Sequence, residues 1–356
     1  MMGGSDYSRA IEELARTALD YLWDMEATLE AFHLHELPKY QAPIAAKYRQ
    51  QIQENDDRLA QLQPPVGREA FHESFRLAHS HLNESCRIFS YPFPSEDFIP
   101  CIRGSYHELC LARHHLYDLR RQLPAFDAYW ITEDEQPHRE QIEVEPDPAL
   151  EVPVGLLYKD WEPYPPRYTL YVPESYRPDR EWPLIVAMHG GGGNDNDFIW
   201  LWLRQARSKG YLLVAPKSMD LTWTPKDIRV VLMAIEEVRS IYRINPKGIF
   251  LTGVSDGGTF SYEVGLRHPE LFAAIAPVAG GLMPWFDFEK ARGLPVYILH
   301  GSLDWMAPVV FARQAKAILE QFGYRVVYRE IPDWGHAMPF SKVDGICAFF
   351  GEILQE

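Results

Sequence analysis

A serine with glycines two positions before and two positions after it lies in the stretch Gly253-Val254-Ser255-Asp256-Gly257. The apolar run Gly248 to Thr252 precedes this stretch and a helical pattern, Thr259 to Arg267, follows it, which predicts a strand, a tight turn and a helix. Such a turn strains the serine backbone, and the glycines let strand and helix approach without Cβ clashes. The Ser255 hydroxyl would lie at a helix N-terminus, which favours a developing negative charge. A glycine-rich turn with an incidental serine is the alternative interpretation.

A serine hydroxyl is a weak nucleophile at neutral pH, so it needs a general base and an acid that orients this base. After a turn of this kind the partners are expected in the chain order serine, carboxylate, histidine, each just past a strand. Asp304 follows the strand pattern Pro295 to His300, and His336 follows the pattern Arg325 to Ile331. The sequence therefore predicts Ser255 as nucleophile, His336 as base and Asp304 as orienting acid.

Two other acids compete with Asp304 for this role. Asp333 lies only three residues before His336, and Asp287 follows a different strand pattern, so both are less suitable. Asp304 could instead cap the helix that begins near Pro308, because an aspartate accepts first-turn N–H groups well.

Donors for a developing oxyanion are expected after the buried strand pattern Pro183 to His189, where four glycines follow as Gly190 to Gly193. Glycines let the backbone turn its N–H groups toward a substrate oxygen without a side chain in the way. We expect the N–H of Gly191 or Gly192 to act together with that of Asp256. The alternative, a phosphate cradle, lacks the Lys-Ser/Thr pair of a P-loop.

Strand and helix patterns alternate from residue 168 to the C-terminus, which predicts a mostly parallel, doubly wound sheet with its ligand site at the carboxyl ends of the strands. The predicted strands are 168–172, 183–189, 211–216, 248–254, 273–278, 295–300 and 325–331. The predicted helices between and after them are 197–209, 225–242, 258–268, 308–322 and 340–354.

The N-terminal third has a different pattern, with apolar residues at helical spacing and breaks marked by proline. Four helices, 8–37, 42–62, 68–89 and 103–123, predict an antiparallel bundle as a domain of residues 1–125. An acidic, proline-rich linker, 126–166, follows with a candidate edge strand near 151–157, and the catalytic domain is predicted over 167–356.

Histidines are concentrated in the predicted bundle, which holds eight of the thirteen. Glu30 with His33, and Glu69 with His72, have the Glu-x-x-His spacing of carboxylate-bridged metal sites. Further inward glutamates that such sites need are missing from the pattern, so we predict no metal and treat these histidines as amphipathic surface residues.

Charge and cysteine content narrow the class of protein. The formal net charge of −15 disfavours nucleic acid and anionic membranes as partners. The four cysteines form no Cys-x-x-Cys pair, which indicates reduced thiols rather than a disulfide framework. No signal-peptide pattern and no stretch of membrane-spanning length is present, so we expect a cytoplasmic protein without a membrane span.

These motifs resemble those of the α/β-hydrolases, over a region from about Tyr168 to Leu354. Within that superfamily the sequence is similar to phospholipase/carboxylesterase-like, polyhydroxybutyrate-depolymerase-like and feruloyl esterases. The matching stretches are 189–193, 249–258, 268–280, 300–304 and 335–336. The resemblance implies a serine esterase that works through an acyl-enzyme without a cofactor. Asp256 is a departure, because methionine, glutamine or alanine is more usual after the nucleophile. The helical domain matches no family, and it could cover the site, mediate homo-oligomerisation or bind a partner.

Aromatic and sulfur-containing side chains cluster on the loops that should surround the site, and we expect four of them to bind substrate: Trp223, Trp305, Met306 and Trp334. The alternative is that half of these tryptophans belong to the core. No strong cluster of Arg or Lys lies on the same loops, so small neutral esters with acyl or aryl groups are the favoured substrates. Two other functions stay open: a serine peptidase on the same scaffold, and a silenced hydrolase whose helical domain serves binding.

Overall fold

The computed structural model describes residues 4–33, 36–92, 97–160, 166–286 and 288–356. They divide into two units, Met1–Thr132 and Glu133–Glu356. Residues 126–132 thus belong to the first unit, and the later part of the predicted linker belongs to the second. Residues 161–165 and the rival acid Asp287 lie outside the described residues.

The first unit consists of helices that bury one face each. Its α-helices are α1 (Gly4–Ala31), α2 (Leu37–Gln61), α3 (Glu69–Phe89), α4 (Phe98–Leu119) and α5 (Pro124–Tyr129), with a 3₁₀ turn at Arg120–Gln122. Pro38 was expected to end the first helix, but it lies in the first turn of α2, where proline is tolerated because its missing N–H has no intrahelical acceptor. Pro100 lies in the first turn of α4 for the same reason, so this helix begins five residues before the predicted Arg103.

The histidines of the first unit do not assemble a metal site in the part of the chain that the structure describes, where no group of three His, Cys, Asp or Glu side chains could hold an ion. Instead, Nδ1 of His72 lies 3.1 Å from the hydroxyl oxygen of Tyr7. His72 is buried, contrary to the surface placement expected for the histidines of the Glu-x-x-His pairs, and His79 is buried seven residues further along the same helix.

No helix among the described residues is both long enough and apolar enough to cross a membrane.

The second unit contains an eight-stranded sheet with the order β1-β2-β4-β3-β5-β6-β7-β8. Its strands are β1 (Gly155–Lys159), β2 (Tyr168–Val172), β3 (Trp182–Met188), β4 (Leu212–Pro216), β5 (Ile244–Val254), β6 (Ala274–Val278), β7 (Val296–Gly301) and β8 (Val326–Ile331). The pairs β1–β2 and β2–β4 are antiparallel, and all later pairs are parallel. The predicted mostly parallel sheet is confirmed, and the carboxyl ends of β3 to β8 therefore share one edge.

Helices cover the sheet and bury its apolar strands. They are α6 (Arg139–Ile142), α7 (Asp195–Lys209), α8 (Asp227–Ile241), α9 (Asp256–Arg267), α10 (Val310–Gln321) and α11 (Val343–Gln355). Every residue of β4 and β6 is buried, and so is every residue of β3 except Pro183, which explains why β3 reads as a continuous apolar run in the sequence. The edge strand β1 is only half-buried.

Candidate active site

Ser255 lies on a strained turn between β5 and α9, with φ 60° and ψ −116°. The turn is tight enough that a Cβ on Gly253 would lie 2.3 Å from the carbonyl oxygen of Gly257. A Cβ on Gly257 would lie 2.2 Å from the carbonyl oxygen of Met188. The Ser255 N–H donates to the carbonyl of Val278 at 2.9 Å, which anchors the turn to β6. The glycines predicted to permit this turn therefore meet a steric requirement that no other residue could satisfy.

The structure brings the three predicted catalytic side chains together. Ser255 Oγ lies 2.9 Å from Nε2 of His336, and Nδ1 of His336 lies 2.8 Å from Oδ2 of Asp304. The three side chains come from the loops after β5, β8 and β7, which share the carboxyl edge of the sheet. The Asp304 side chain is buried and that of His336 is nearly so. This arrangement can move a proton from the serine hydroxyl to the imidazole.

The two carboxylate oxygens of Asp304 have separate partners. Oδ1 accepts the N–H groups of Met306 and Ala307 at 3.0 and 2.7 Å, while Oδ2 faces His336. The turn role and the orienting role that we considered for Asp304 therefore coexist. The rival Asp333 has a positive φ of 56° and its N–H donates to Ser302 Oγ, so this residue shapes the loop that leads to His336.

A second histidine, to which sequence reasoning gave no role, lies beside the acid. Nε2 of His300 donates to the carbonyl of Ala307 at 2.6 Å and lies 3.4 Å from Oδ2 of Asp304. Burial lowers the pKa of His300, which favours a neutral ring. In the sequence, the only indication was that His300 ends a strand pattern and lies four residues before Asp304.

The structure brings two of the predicted oxyanion donors, Gly191 and Asp256, close together. A Cβ on Gly191 would lie 3.6 Å from Cβ of Asp256 and 3.7 Å from Cγ2 of Thr222. The Asp256 N–H belongs to the first helical turn, where backbone donors have no intrahelical acceptor. Gly192, the other predicted donor, is excluded in this conformation, because its N–H donates to the carbonyl of Leu221.

The loop from Ser218 to Thr224 follows β4 and contacts the glycine run at several points. The N–H of Ser218 donates to Nε2 of His189 at 3.2 Å, and Nδ1 of His189 donates to the Gly190 carbonyl at 2.8 Å. These two bonds require the neutral tautomer with its proton on Nδ1. Burial lowers the pKa of His189 to about 4, which agrees with a neutral ring.

Trp223 does not present a free face for substrate, contrary to the prediction. Its indole is buried, stacks on Phe260 at 5.1 Å between ring centroids, and donates from Nε1 to the His189 carbonyl at 2.7 Å. Trp334 is buried as well, and its carbonyl accepts the N–H of Leu303. Both tryptophans shape the loops, which is the core role that the sequence left open.

Trp305 and Met306 are exposed, as a substrate-contacting role requires. The Trp305 ring centroid lies 6.3 Å from that of His336. On the opposite side of the oxyanion region, Leu221 exposes 77% of its surface and Met219 half of its own. Exposed apolar side chains thus lie on the loops after both β4 and β7, at the edge that carries Ser255.

Comparison with known proteins finds a family model that matches part of the second unit. The sequence model of the family described as Phospholipase/Carboxylesterase matches residues 228–352, which include all three residues of the Ser255, Asp304 and His336 set. The matched range begins within α8 and ends in α11, so it covers the nucleophile turn and the strands that follow it.

Individual relatives match over shorter parts of their own length. A bifunctional acetylxylan esterase/xylanase of Neocallimastix patriciarum is 30% identical over 38% of this chain and 21% of that protein. Feruloyl esterase C of Emericella nidulans is 29% identical over 34% of this chain and 48% of that protein. The chain therefore spans about half or less of these relatives. The crystal structure of a thermostable esterase is 24% identical with a TM-score of 0.48, over 55% of this chain and 62% of that chain.

Proposed function

We propose that this protein, whose residues 133–356 form an α/β-hydrolase domain, is a carboxylic ester hydrolase that uses Ser255 as its nucleophile. One observation carries the proposal: the hydrogen-bonded series from Ser255 through His336 to Asp304, with distances of 2.9 and 2.8 Å, on a strained strand-to-helix turn.

In the proposed mechanism, Ser255 Oγ attacks the ester carbonyl carbon while its proton moves to Nε2 of His336. The N–H groups of Gly191 and Asp256 stabilise the oxygen that becomes negative. The carbon–oxygen bond to the alcohol then breaks, and His336 returns the proton to the departing alkoxide. Water next gives a proton to His336 and attacks the acyl carbon, the bond from that carbon to Ser255 Oγ breaks, and His336 returns the proton to Oγ, which releases the acid and restores the serine. Asp304 accepts the Nδ1–H of His336 throughout and stabilises the imidazolium.

The proposed substrates are small neutral esters with an acyl or aryl group. The exposed apolar side chains on both sides of the oxyanion region, Leu221, Trp305 and Met306, support an apolar substrate group. Two similar proteins are named for feruloyl and acetylxylan esters, which carry an aromatic and a small acyl group respectively. No metal or organic cofactor enters the proposed steps.

The test is hydrolysis of p-nitrophenyl esters from acetate to long acyl chains, together with methyl ferulate, by the wild type and Ser255→Ala. We expect the wild type to hydrolyse part of this series and Ser255→Ala to lower kcat by about 10⁴-fold or more. Ser240→Ala is a matched control, because Ser240 is exposed on α8 and its hydroxyl donates to the Glu237 carbonyl.

Two outcomes would contradict the proposal: a wild type that is inactive across the series, or Ser255→Ala with the activity of the control. Matched anilide substrates distinguish the peptidase alternative, which requires amide turnover at rates comparable with those of the esters.

A further inference from the structure

The loop Ser218–Thr224 is closed at its base by a buried aspartate. Asp227 has no exposed surface, and its Oδ1 accepts the N–H of Met219 at 2.7 Å. Its Oδ2 accepts both the N–H and the hydroxyl of Thr224 at 2.8 Å. Asp227 thus fixes the two ends of the loop, but it makes no contact of this kind with the residues between them.

A second carboxylate fastens the interior of the loop to the nucleophile helix. Oδ2 of Asp256 accepts the N–H of Trp223 at 2.7 Å. Asp256 directly follows Ser255, so this hydrogen bond joins the loop after β4 to the turn that carries the nucleophile. The Trp223 indole makes a second connection, from the loop to the carboxyl end of β3, through its bond to the His189 carbonyl.

The loop in turn holds the glycine run that supplies the oxyanion donor. The Leu221 carbonyl accepts the N–H of Gly192, and Gly192 has a positive φ of 69°. A Cβ on the neighbouring Gly191 would lie 3.7 Å from Cγ2 of Thr222 and 3.6 Å from Cβ of Asp256, so this glycine lies against both the loop and the nucleophile helix. A displacement of the loop would therefore change the direction of the Gly191 peptide.

We propose that the Asp256 carboxylate is a positioning group for the oxyanion hole, which it organises by holding the loop Ser218–Thr224 against the nucleophile helix. This inference rests on the proposed esterase function and assigns the side chain of Asp256 a part separate from that of its N–H. To hold the loop, the Asp256 side chain must supply an oxygen that accepts the N–H of Trp223. A negative charge beside a developing oxyanion opposes it, so the charge itself does not assist the reaction.

This role explains why a carboxylate is compatible with the position after the nucleophile. Asp256 is only half-exposed and burial raises its pKa, partly offset by the hydrogen bond from Trp223. One carboxylate oxygen, Oδ2, thus accepts a backbone donor of the loop.

The test compares Asp256→Ala, which removes the acceptor, with Asp256→Asn, which keeps an acceptor oxygen and removes the charge. We expect Asp256→Ala to lower kcat for the best ester by about 10- to 100-fold with little change in KM, because a donor is misplaced. Asp256→Asn should retain or exceed the wild-type kcat. Asp220→Ala is the matched control, since Asp220 is an exposed carboxylate of the same loop.

Amide hydrogen exchange of residues 218–224 supplies a readout that does not depend on turnover. It should accelerate in Asp256→Ala and stay unchanged in Asp256→Asn and Asp220→Ala. Asp256→Ser, whose hydroxyl is too short to reach Trp223, should behave like the alanine variant and replaces it if that variant does not fold.

The inference is overturned if Asp256→Ala keeps wild-type kcat and exchange, or if Asp256→Asn loses as much activity as Asp256→Ala. An inactive wild type would instead contradict the esterase function alone, and the exchange experiment would still decide whether the carboxylate holds the loop.

Discussion

At the scale of single residues, two buried histidines on α3 differ in their hydrogen bonding, while burial lowers the pKa of both. His79 is buried against Phe75, and neither of its ring nitrogens has a hydrogen-bond partner among the described residues. Burial lowers the pKa of His79 from 6.5 to about 4. The unfolded chain therefore binds a proton at His79 as the pH falls below 6.5, whereas the folded protein binds it only near pH 4. The free energy of unfolding consequently falls as the pH decreases through this window.

We expect His79→Leu to raise the free energy of unfolding at pH 7.5 by about 1–2 kcal/mol, because it removes two unpaired buried polar atoms. The gain should be about 2 kcal/mol larger at pH 5, where the unfolded wild type is protonated. Urea unfolding at both pH values measures the difference. His72→Leu is the matched control: it removes the hydrogen bond to Tyr7 and should lower stability at pH 7.5. An equal effect of His79→Leu at the two pH values would contradict this explanation.

Single residues also mark what sequence could and could not predict about the site. Ser255, Asp304 and His336 were recognisable because each follows a strand pattern in an order that the chemistry requires. The direction of the Trp223 side chain could not be predicted, because an indole after a strand can face solvent or the core with the same neighbours in sequence. The partners of Asp256 and His300 are far away in the chain, so no local pattern indicates them.

At the scale of elements, the turn between β5 and α9 depends on space that only glycine leaves free. We expect Gly257→Ala to lower stability by about 2 kcal/mol or more and to abolish ester hydrolysis, because the new Cβ would overlap the Met188 carbonyl oxygen and displace α9. Gly351→Ala is a matched control on α11, since nothing lies within 4 Å of its Cβ position. Alanine there should raise stability by about 0.5–1 kcal/mol through helix propensity.

Thermal unfolding and p-nitrophenyl ester hydrolysis of both variants test this. Equal stability of the two variants would show that the backbone at the turn can relax around a methyl group.

Element boundaries were predictable where burial is uniform and less so where proline intervenes. The predicted strand 183–189 differs from β3 by one residue at both ends. The predicted strand 273–278 differs from β6 by one residue at its start. Pro38 and Pro100 misled the prediction because proline disrupts a helix interior but suits a first turn. The sequence around a proline does not distinguish these two positions.

At the scale of the whole molecule, the acidic interval before the sheet is part of the second unit. Glu143 forms an ion pair with the buried guanidinium of Arg207, and Glu135 accepts from Lys209 at 2.8 Å. Strand β1 pairs with β2 along its whole length, and Val152 and Val154 pack against the core of the sheet. Composition alone suggested a linker, because the basic partners of this interval lie on α7, more than sixty residues later.

This leads to a prediction about two truncated chains. The fragment 133–356 contains the complete sheet and the Ser255, His336 and Asp304 side chains, so we expect it to fold and to hydrolyse the same esters as the full chain. The fragment 167–356 lacks β1 and leaves Arg207 without Glu143. Removing one partner of a buried ion pair costs about 3–5 kcal/mol, so this fragment should be unfolded or much less stable.

Circular dichroism, urea unfolding and ester hydrolysis of both fragments measure this difference. Arg207→Met in fragment 133–356 removes the ion pair but keeps β1, so it distinguishes the contributions of the two to stability. That variant leaves the carboxylates of Glu143 and Glu174 without the guanidinium, whereas Glu143→Ala leaves Arg207 beside Glu174 at 3.9 Å. We therefore expect Arg207→Met to lose at least as much stability as Glu143→Ala. If 133–356 folds but is inactive while the full chain hydrolyses esters, the helical unit contributes to catalysis. If 167–356 is as stable as 133–356, the interval 133–166 is the linker that its composition suggested.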